Sequence, residues 1–221
     1  MITFKDVTVE KSGNVILKDI SVELGDHRLG IIGRNGSGKS TLARLINGLE
    51  KPSSGSVFVG GAQDIKALRR KVGFVFQNPD NQIVYPIVNE DLEFGLKNLK
   101  LPAIERRRRI ADILTRFEIT HLADRFTHEL SGGEKQLIAL AGVLVMEPEI
   151  IVFDEPTTLL DLWNTRRFMA AVNTLSQQVI MVTHNLDLIR DFDRTLLIDN
   201  GEISADGKPA DIIARYCEDQ P

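Results

Sequence analysis

The sequence predicts an α/β fold whose core carries an N-terminal antiparallel β subdomain and is interrupted by an inserted α-helical subdomain. Three observations predict it. Apolar and polar residues alternate from Ile2 to Leu24, as in half-buried strands. A short apolar run ends in a glycine-rich loop, beyond which apolar residues fall at helical spacing. A mainly helical stretch, 87–145, then separates this region from a second α/β pattern.

Taken in order, Ile2, Phe4, Val7 and Val9 and then Val15, Leu17, Val22 and Leu24 form the β-rich opening. Residues 29–32 read as a strand ending at Gly33, and Leu42, Leu45, Ile46 and Leu49 mark the helix after Gly38. A strand over 72–76 leads into the turn-rich NPDNQ segment. Ile110, Ile113, Leu114 and Phe117 form one apolar helical stripe. The same helix begins with Arg106, Arg107, Arg108 and Arg109, either a solvated face or a docking patch. After Pro148, strands are expected at 150–153, 179–182 and 195–198, with helices between them and a last helix around 211–216. The expected division is one domain over 1–221: a core with its β subdomain at 1–85 and 147–221, and the helical subdomain at 86–146.

Composition narrows the function. The 221 residues are 43% apolar and 26% charged, ordinary usage for a globular chain. A net charge of −4 gives no electrostatic case for wrapping nucleic acid, and none is expected as a partner. Cys217 is the only cysteine, so an internal disulfide or thiolate metal cage is excluded and a reducing compartment fits. Lys5, Asp6, Glu10 and Lys11 break any signal-peptide core, and no run approaches 18 apolar residues. Membrane association is therefore expected through partners.

Residues 33–40 read GRNGSGKS, a complete GxxxxGK[ST] phosphate loop in strand and helix context, which places the core among P-loop NTPases. Gly33, Gly36 and Gly38 permit positive φ, so backbone amides can converge on phosphate oxygens at a helix N-terminus. Lys39 supplies a point charge for the terminal phosphates, and the Ser40 hydroxyl suits Mg²⁺. Asn35, Ser37 and Thr41 complete the expected phosphate-binding set. The apolar run 150–153 ends in Asp154 and Glu155, at the strand edge where open α/β sheets bind ligands. Asp154 suits the Mg²⁺ shell, and Glu155 suits polarisation of an attacking water. At 130–136 the chain reads LSGGEKQ. Ser131 and Glu134 form a capping box, while Gly132 and Gly133 expose amides at a positive helix end.

LSGGEKQ resembles the signature motif of ABC ATPases, with Glu134 at the variable position. The resemblance spans nearly the whole chain and implies a RecA-like P-loop NTPase core. It further implies a Q-loop at Gln77 touching Mg²⁺ and the attacking water, a D-loop at Asp161, and a switch histidine, His184, on the γ-phosphate. It implies head-to-tail pairing with a second ATPase subunit, Ser131, Gly132 and Gly133 closing over the phosphate held by the other copy's Lys39. Both a homodimer, which the complete motif set favours, and a heterodimer remain open. FQNPDNQIVYPIVNEDLEFG, at 76–95, resembles the ATPase subunits of energy-coupling factor (ECF) importers. That implies a transmembrane T component docking between Gln77 and Gln82, a substrate-binding S component, and a place on the cytoplasmic face of the cell membrane. The overall likeness is greatest to the biotin-type subunit, with cobalt or nickel systems next. Lys11 stands where the family has an adenine-stacking aromatic, which puts that stacking in doubt. There are two alternatives: first, the ATPase subunit of another ABC importer or exporter, and second, a soluble DNA-linked ABC ATPase. The second would need heptad arms, zinc cysteines or a basic surface, and the sequence has none.

Overall fold

The chain opens with strands β1 (Ile2–Lys11), β2 (Asn14–Leu24) and β3 (Arg28–Ile32), helix α1 (Lys39–Ile46) and strand β4 (Ser54–Val59). Helix α2 (Ile65–Lys71) and strand β5 (Val72–Val75) follow, then helices α3 (Val88–Lys97), α4 (Ala103–Arg116) and α5 (Gly132–Leu144). Strand β6 (Ile150–Asp154), helix α6 (Leu162–Asn173), strands β7 (Gln178–Val182), β8 (Arg194–Asp199) and β9 (Glu202–Gly207) and helix α7 (Pro209–Glu218) complete it. This computed structural model describes residues 1–218. It divides into one unit of 1–74, 149–155 and the chain from 177 onward, and a second of 75–148 and 156–176.

The first unit holds two sheets. One has the order β2-β1-β4, with β1 antiparallel to both neighbours. Ile2, Phe4, Val7 and Val9 are all buried, which explains the alternation. The three-residue step from Phe4 to Val7 is a bulge: the register against β2 shifts there, and Asp6 adopts a φ of 48°. The second sheet has the order β5-β6-β7-β3-β8-β9. β3 runs parallel to β7 and β8, β6 runs parallel to β7, and β9 closes the edge antiparallel to β8. Every residue of β6 is buried, as both faces of a parallel strand require.

Several boundaries differ from the sequence reading. α1 stops at Ile46, and Leu49 lies outside it, 42% exposed, because Asn47 caps the helix and Gly48 turns the chain at a φ of 71°. β5 ends one residue before Phe76. β4, β9 and α2 are further elements.

The second unit contains α3, α4, α5 and α6. Ile110, Ile113, Leu114 and Phe117 are buried, as their spacing predicts. The arginine run is an internal ion-pair network rather than a free docking patch. Arg106 Nε meets Glu93 Oε1 at 2.9 Å, Arg108 grips both oxygens of Glu105 at 2.9 and 2.8 Å, and Arg109 reaches Glu105 and Glu147, each at 2.8 Å. Hydrogen bonds from Arg108 and Arg109 hold the Glu105 carboxyl down at about 2. Arg107 alone of the four meets no carboxylate within ion-pair reach among the described residues, its Nε lying 3.4 Å from the Ala103 carbonyl.

Candidate nucleotide site

The carboxyl ends of β6, β7 and β3 lie side by side in the six-stranded sheet, so three strand-to-loop turns converge within the first unit. The turn after β3 is the phosphate loop. Gly33 has a φ of 145°, and a Cβ there would lie 2.1 Å from the Ile198 carbonyl oxygen. Conformation and crowding both demand glycine. Gly33→Ala is therefore expected to cost at least about 2 kcal/mol of stability, read as a lower urea midpoint at unchanged m-value. Gly36 and Gly38 also have positive φ, and Gly38 precedes the first residue of α1.

Lys39 is buried inside this loop, its Nζ donating to the Gly33 and Arg34 carbonyls at 2.8 Å each. Burial lowers the ammonium's pKa, and the carboxylates of Glu155 and Asp154 act in the opposite sense. Ser40 Oγ donates to Asp154 Oδ1 at 2.6 Å. Arg44 Nη2 lies 3.3 Å from Asp154 Oδ2. Sequence reasoning missed Arg44, although its place four residues after Ser40 puts both on one face of α1. Asn35 is exposed, Thr41 half-buried, and Ser37 buried with no hydrogen-bond partner for its hydroxyl among the described residues.

Glu155 follows β6 with a φ of 54°, a left-handed backbone that a non-glycine residue holds only when its surroundings impose it. Its N–H donates to the Val182 carbonyl at 2.9 Å. His184, just past β7, places its Nδ1 2.6 Å from Glu155 Oε2 and donates its backbone N–H to the same oxygen at 3.2 Å. Lys39, Ser40, Asp154, Glu155 and His184 thus form one linked set.

The other expected residues lie in the second unit. Ser131 caps α5 with the full capping box: its backbone N–H donates to Glu134 Oε2 at 2.8 Å, and its Oγ accepts from the Glu134 N–H at 3.4 Å. A hydrogen bond from Ser131 is the main cause holding the Glu134 carboxyl below its usual range. Gly132 is exposed and Gly133 buried. Asp161 caps α6, accepting from the Asn164 N–H at 2.7 Å. Gln77 is exposed at the start of the NPDNQ segment. That segment folds as a 3-10 turn over Pro79–Asn81 and is fixed to α5. Gln82 Nε2 donates to the Ala139 carbonyl at 2.7 Å, and Lys135 Nζ meets Asp80 Oδ1 at 2.7 Å. Beside it, Tyr85 and Phe94 pack with ring centroids 5.0 Å apart, and Val84 and Phe126 are exposed. In the first unit, Lys11 is ion-paired with Glu50.

A phosphate loop joined to a strand-end acid pair defines a P-loop nucleotide hydrolase. The ABC transporter family model matches residues 17–158. The biotin transport ATP-binding protein BioM of Rhizobium etli is 45% identical, covering 98% of each chain. The energy-coupling factor transporter ATP-binding protein EcfA1 of Caldanaerobacter subterraneus is 40% identical over 92% of this chain and 77% of its own. Among solved structures, CbiO1 of Clostridium perfringens, part of the CbiONQ transporter complex, superposes with a TM-score of 0.86 at 36% identity, covering 98% of this chain and 92% of that one. The ATP-binding cassette MJ0796, solved as a dimer bound to ADP and Pi, gives 0.80 at 29% identity, covering 95% of this chain and 99% of that one. This chain belongs to the ABC transporter family, as an ATP-binding subunit that hydrolyses ATP in the service of transport. The fold expected from the sequence is borne out.

Proposed function

We propose that this chain is the ATPase subunit of an ECF-type importer, energising uptake of a vitamin, biotin before others, or of a transition-metal ion. The observation that carries the reading is the linked set of Lys39, Ser40, Asp154, Glu155 and His184, in a chain similar to BioM and EcfA1 proteins. Gly33, Asn35, Gly36, Ser37, Gly38, Ser40 and Thr41 cradle the phosphates of ATP, and Lys39 releases its loop carbonyls to meet them. Glu155 orients and polarises the attacking water, and His184 holds the Glu155 carboxylate in place.

The donors present suit Mg²⁺, a hard cation that keeps several waters and takes few protein ligands. Ser40 and Asp154 offer a hydroxyl and a carboxylate already 2.6 Å apart, and no cluster of three or more His, Cys, Asp or Glu side chains fit for another metal occurs among the described residues. Ser40 and Asp154 would hold the ion, which would supply neutralising charge to the phosphates.

In this reading a second ATPase subunit, a second copy of this chain before a heterologous one, brings Ser131, Gly132 and Gly133 to the phosphate held by Lys39. Asp161 aligns that arrangement. A relative solved as a dimer supports it. The membrane partners are a T component, docking between Gln77 and Gln82, and an S component that binds the cargo. The exposed Val84, Tyr85, Phe94 and Phe126 beside the fixed NPDNQ turn support that docking face. No helix among the described residues is long and apolar enough to cross a membrane, which agrees with a peripheral subunit on the cytoplasmic face.

Affinity purification of the tagged subunit from native membranes tests the proposal. A small T component and an S component are expected to copurify, with biotin or a metal ion on the latter. An obligate periplasmic binding protein in their place would reject it.

A further inference from the structure

The two glycines at the start of α5 sit in different surroundings. A Cβ on Gly132 would meet nothing closer than the Leu159 carbonyl oxygen at 4.0 Å. A Cβ on Gly133 would lie 2.0 Å from Asn164 Oδ1, 2.4 Å from its Cγ and 3.0 Å from its Cβ. Gly133 needs no positive φ, so its lack of a side chain makes room for Asn164. On its other side, residue 164 is held by both oxygens of one carboxylate: its N–H donates to Asp161 Oδ1 at 2.7 Å and its Nδ2 to Asp161 Oδ2 at 3.1 Å. One half-buried amide therefore bridges the cap of α6 and the first turn of α5, two places 28 residues apart, Gly133 to Asp161.

We infer that Asn164 is a positioning residue that locks Asp161 to the Gly133 turn, so that the loop before α6 and the N-terminal amides of α5 move as one piece. The inference rests on the proposed role of Ser131, Gly132 and Gly133 at the second copy's phosphate. Donors acting on a transition state must be held to within a fraction of an ångström, by side chains whose own position is locked. Asn164 supplies that lock through contacts on both sides, with no contact to the nucleotide required of it.

The test measures steady-state ATP turnover in the purified transporter. Asn164→Ala is expected to lower kcat ~10- to 100-fold, with KM for ATP and the thermal midpoint unchanged, because Lys39 and its loop are untouched. Asn164→Ser serves as a second variant should Ala melt early. Gly133→Ala is expected to be inactive by collision with Asn164, and Gly133→Ala/Asn164→Ala to regain at least ~10-fold over it, since the two side chains compete for one space. A wild-type kcat in both Asn164 variants, or no recovery in the double variant, would overturn the inference. Ser131→Arg separates the two layers. If it abolishes turnover while Asn164→Ala matches wild type, only the positioning role falls; if it leaves turnover intact, the role of 131–133 falls and this inference with it.

Discussion

Replacing Glu155 with Gln is expected to slow ATP turnover ~100- to 10,000-fold, the usual contribution of a general base, while ATP still binds. The amide keeps the size of the side chain and its place beside His184, but it cannot take a proton from water. The left-handed backbone at 155 and the 2.6 Å contact to His184 Nδ1 show a side chain held in one orientation by its surroundings. Holding the carboxylate this way removes part of the ordering cost of the reaction. The substituted subunit should therefore accumulate with ATP bound and paired with its partner, seen as a nucleotide-dependent shift in size-exclusion chromatography. Phosphate-release assays give the rate. Turnover at the wild-type level would remove Glu155 from the reaction.

Lys39→Ala is expected to weaken ATP binding by roughly 30- to 4,000-fold, the effect of truncating one partner of a buried, hydrogen-bonded charge pair. Lys39 is buried and its ammonium is already stripped of most water, so the protein has met part of the desolvation cost before phosphate arrives. Exchanging two neutral carbonyl acceptors for phosphate oxygens then favours binding strongly. Titration calorimetry with ATP reads the affinity, and a Kd equal to wild type would contradict the role. The two substitutions separate cleanly: Glu155→Gln affects rate and spares affinity, whereas Lys39→Ala removes affinity first.

The phosphate loop and the acid pair were legible because their chemistry needs consecutive residue types in a strand-to-helix context. GRNGSGKS and the apolar run into Asp154 and Glu155 each lie within one local turn, so spacing along the chain reports spacing in space. Contacts made across the fold were not legible. Lys11 paired with Glu50 and Asn164 set against Gly133 each join segments whose proximity no local pattern encodes, and Arg44, although one turn from Ser40, meets Asp154 only through the fold. β9 escaped because none of its residues is buried and Ile203 and Ala205 are its only apolar side chains, too short an alternation to mark a strand. β4 escaped for a related reason: Ser54, Gly55 and Ser56 open it with residues of low strand preference. The run at 106–109 shows composition read without partners. Four adjacent arginines suggest a basic face, yet Glu93, Glu105, Asp112 and Glu147 neutralise most of it within the same unit.

The central claim is that each hydrolytic site is shared, with Lys39 from one subunit and Ser131, Gly132 and Gly133 from its partner. Mixing two inactive forms of the chain tests it most directly. In Lys39→Ala both phosphate loops are lost, and in Ser131→Arg both signature segments are lost. A mixed pair holds one site with both defects and one with none. Shared sites therefore predict that the mixture hydrolyses ATP although neither form does so alone. A mixture as inactive as its two components would contradict the account.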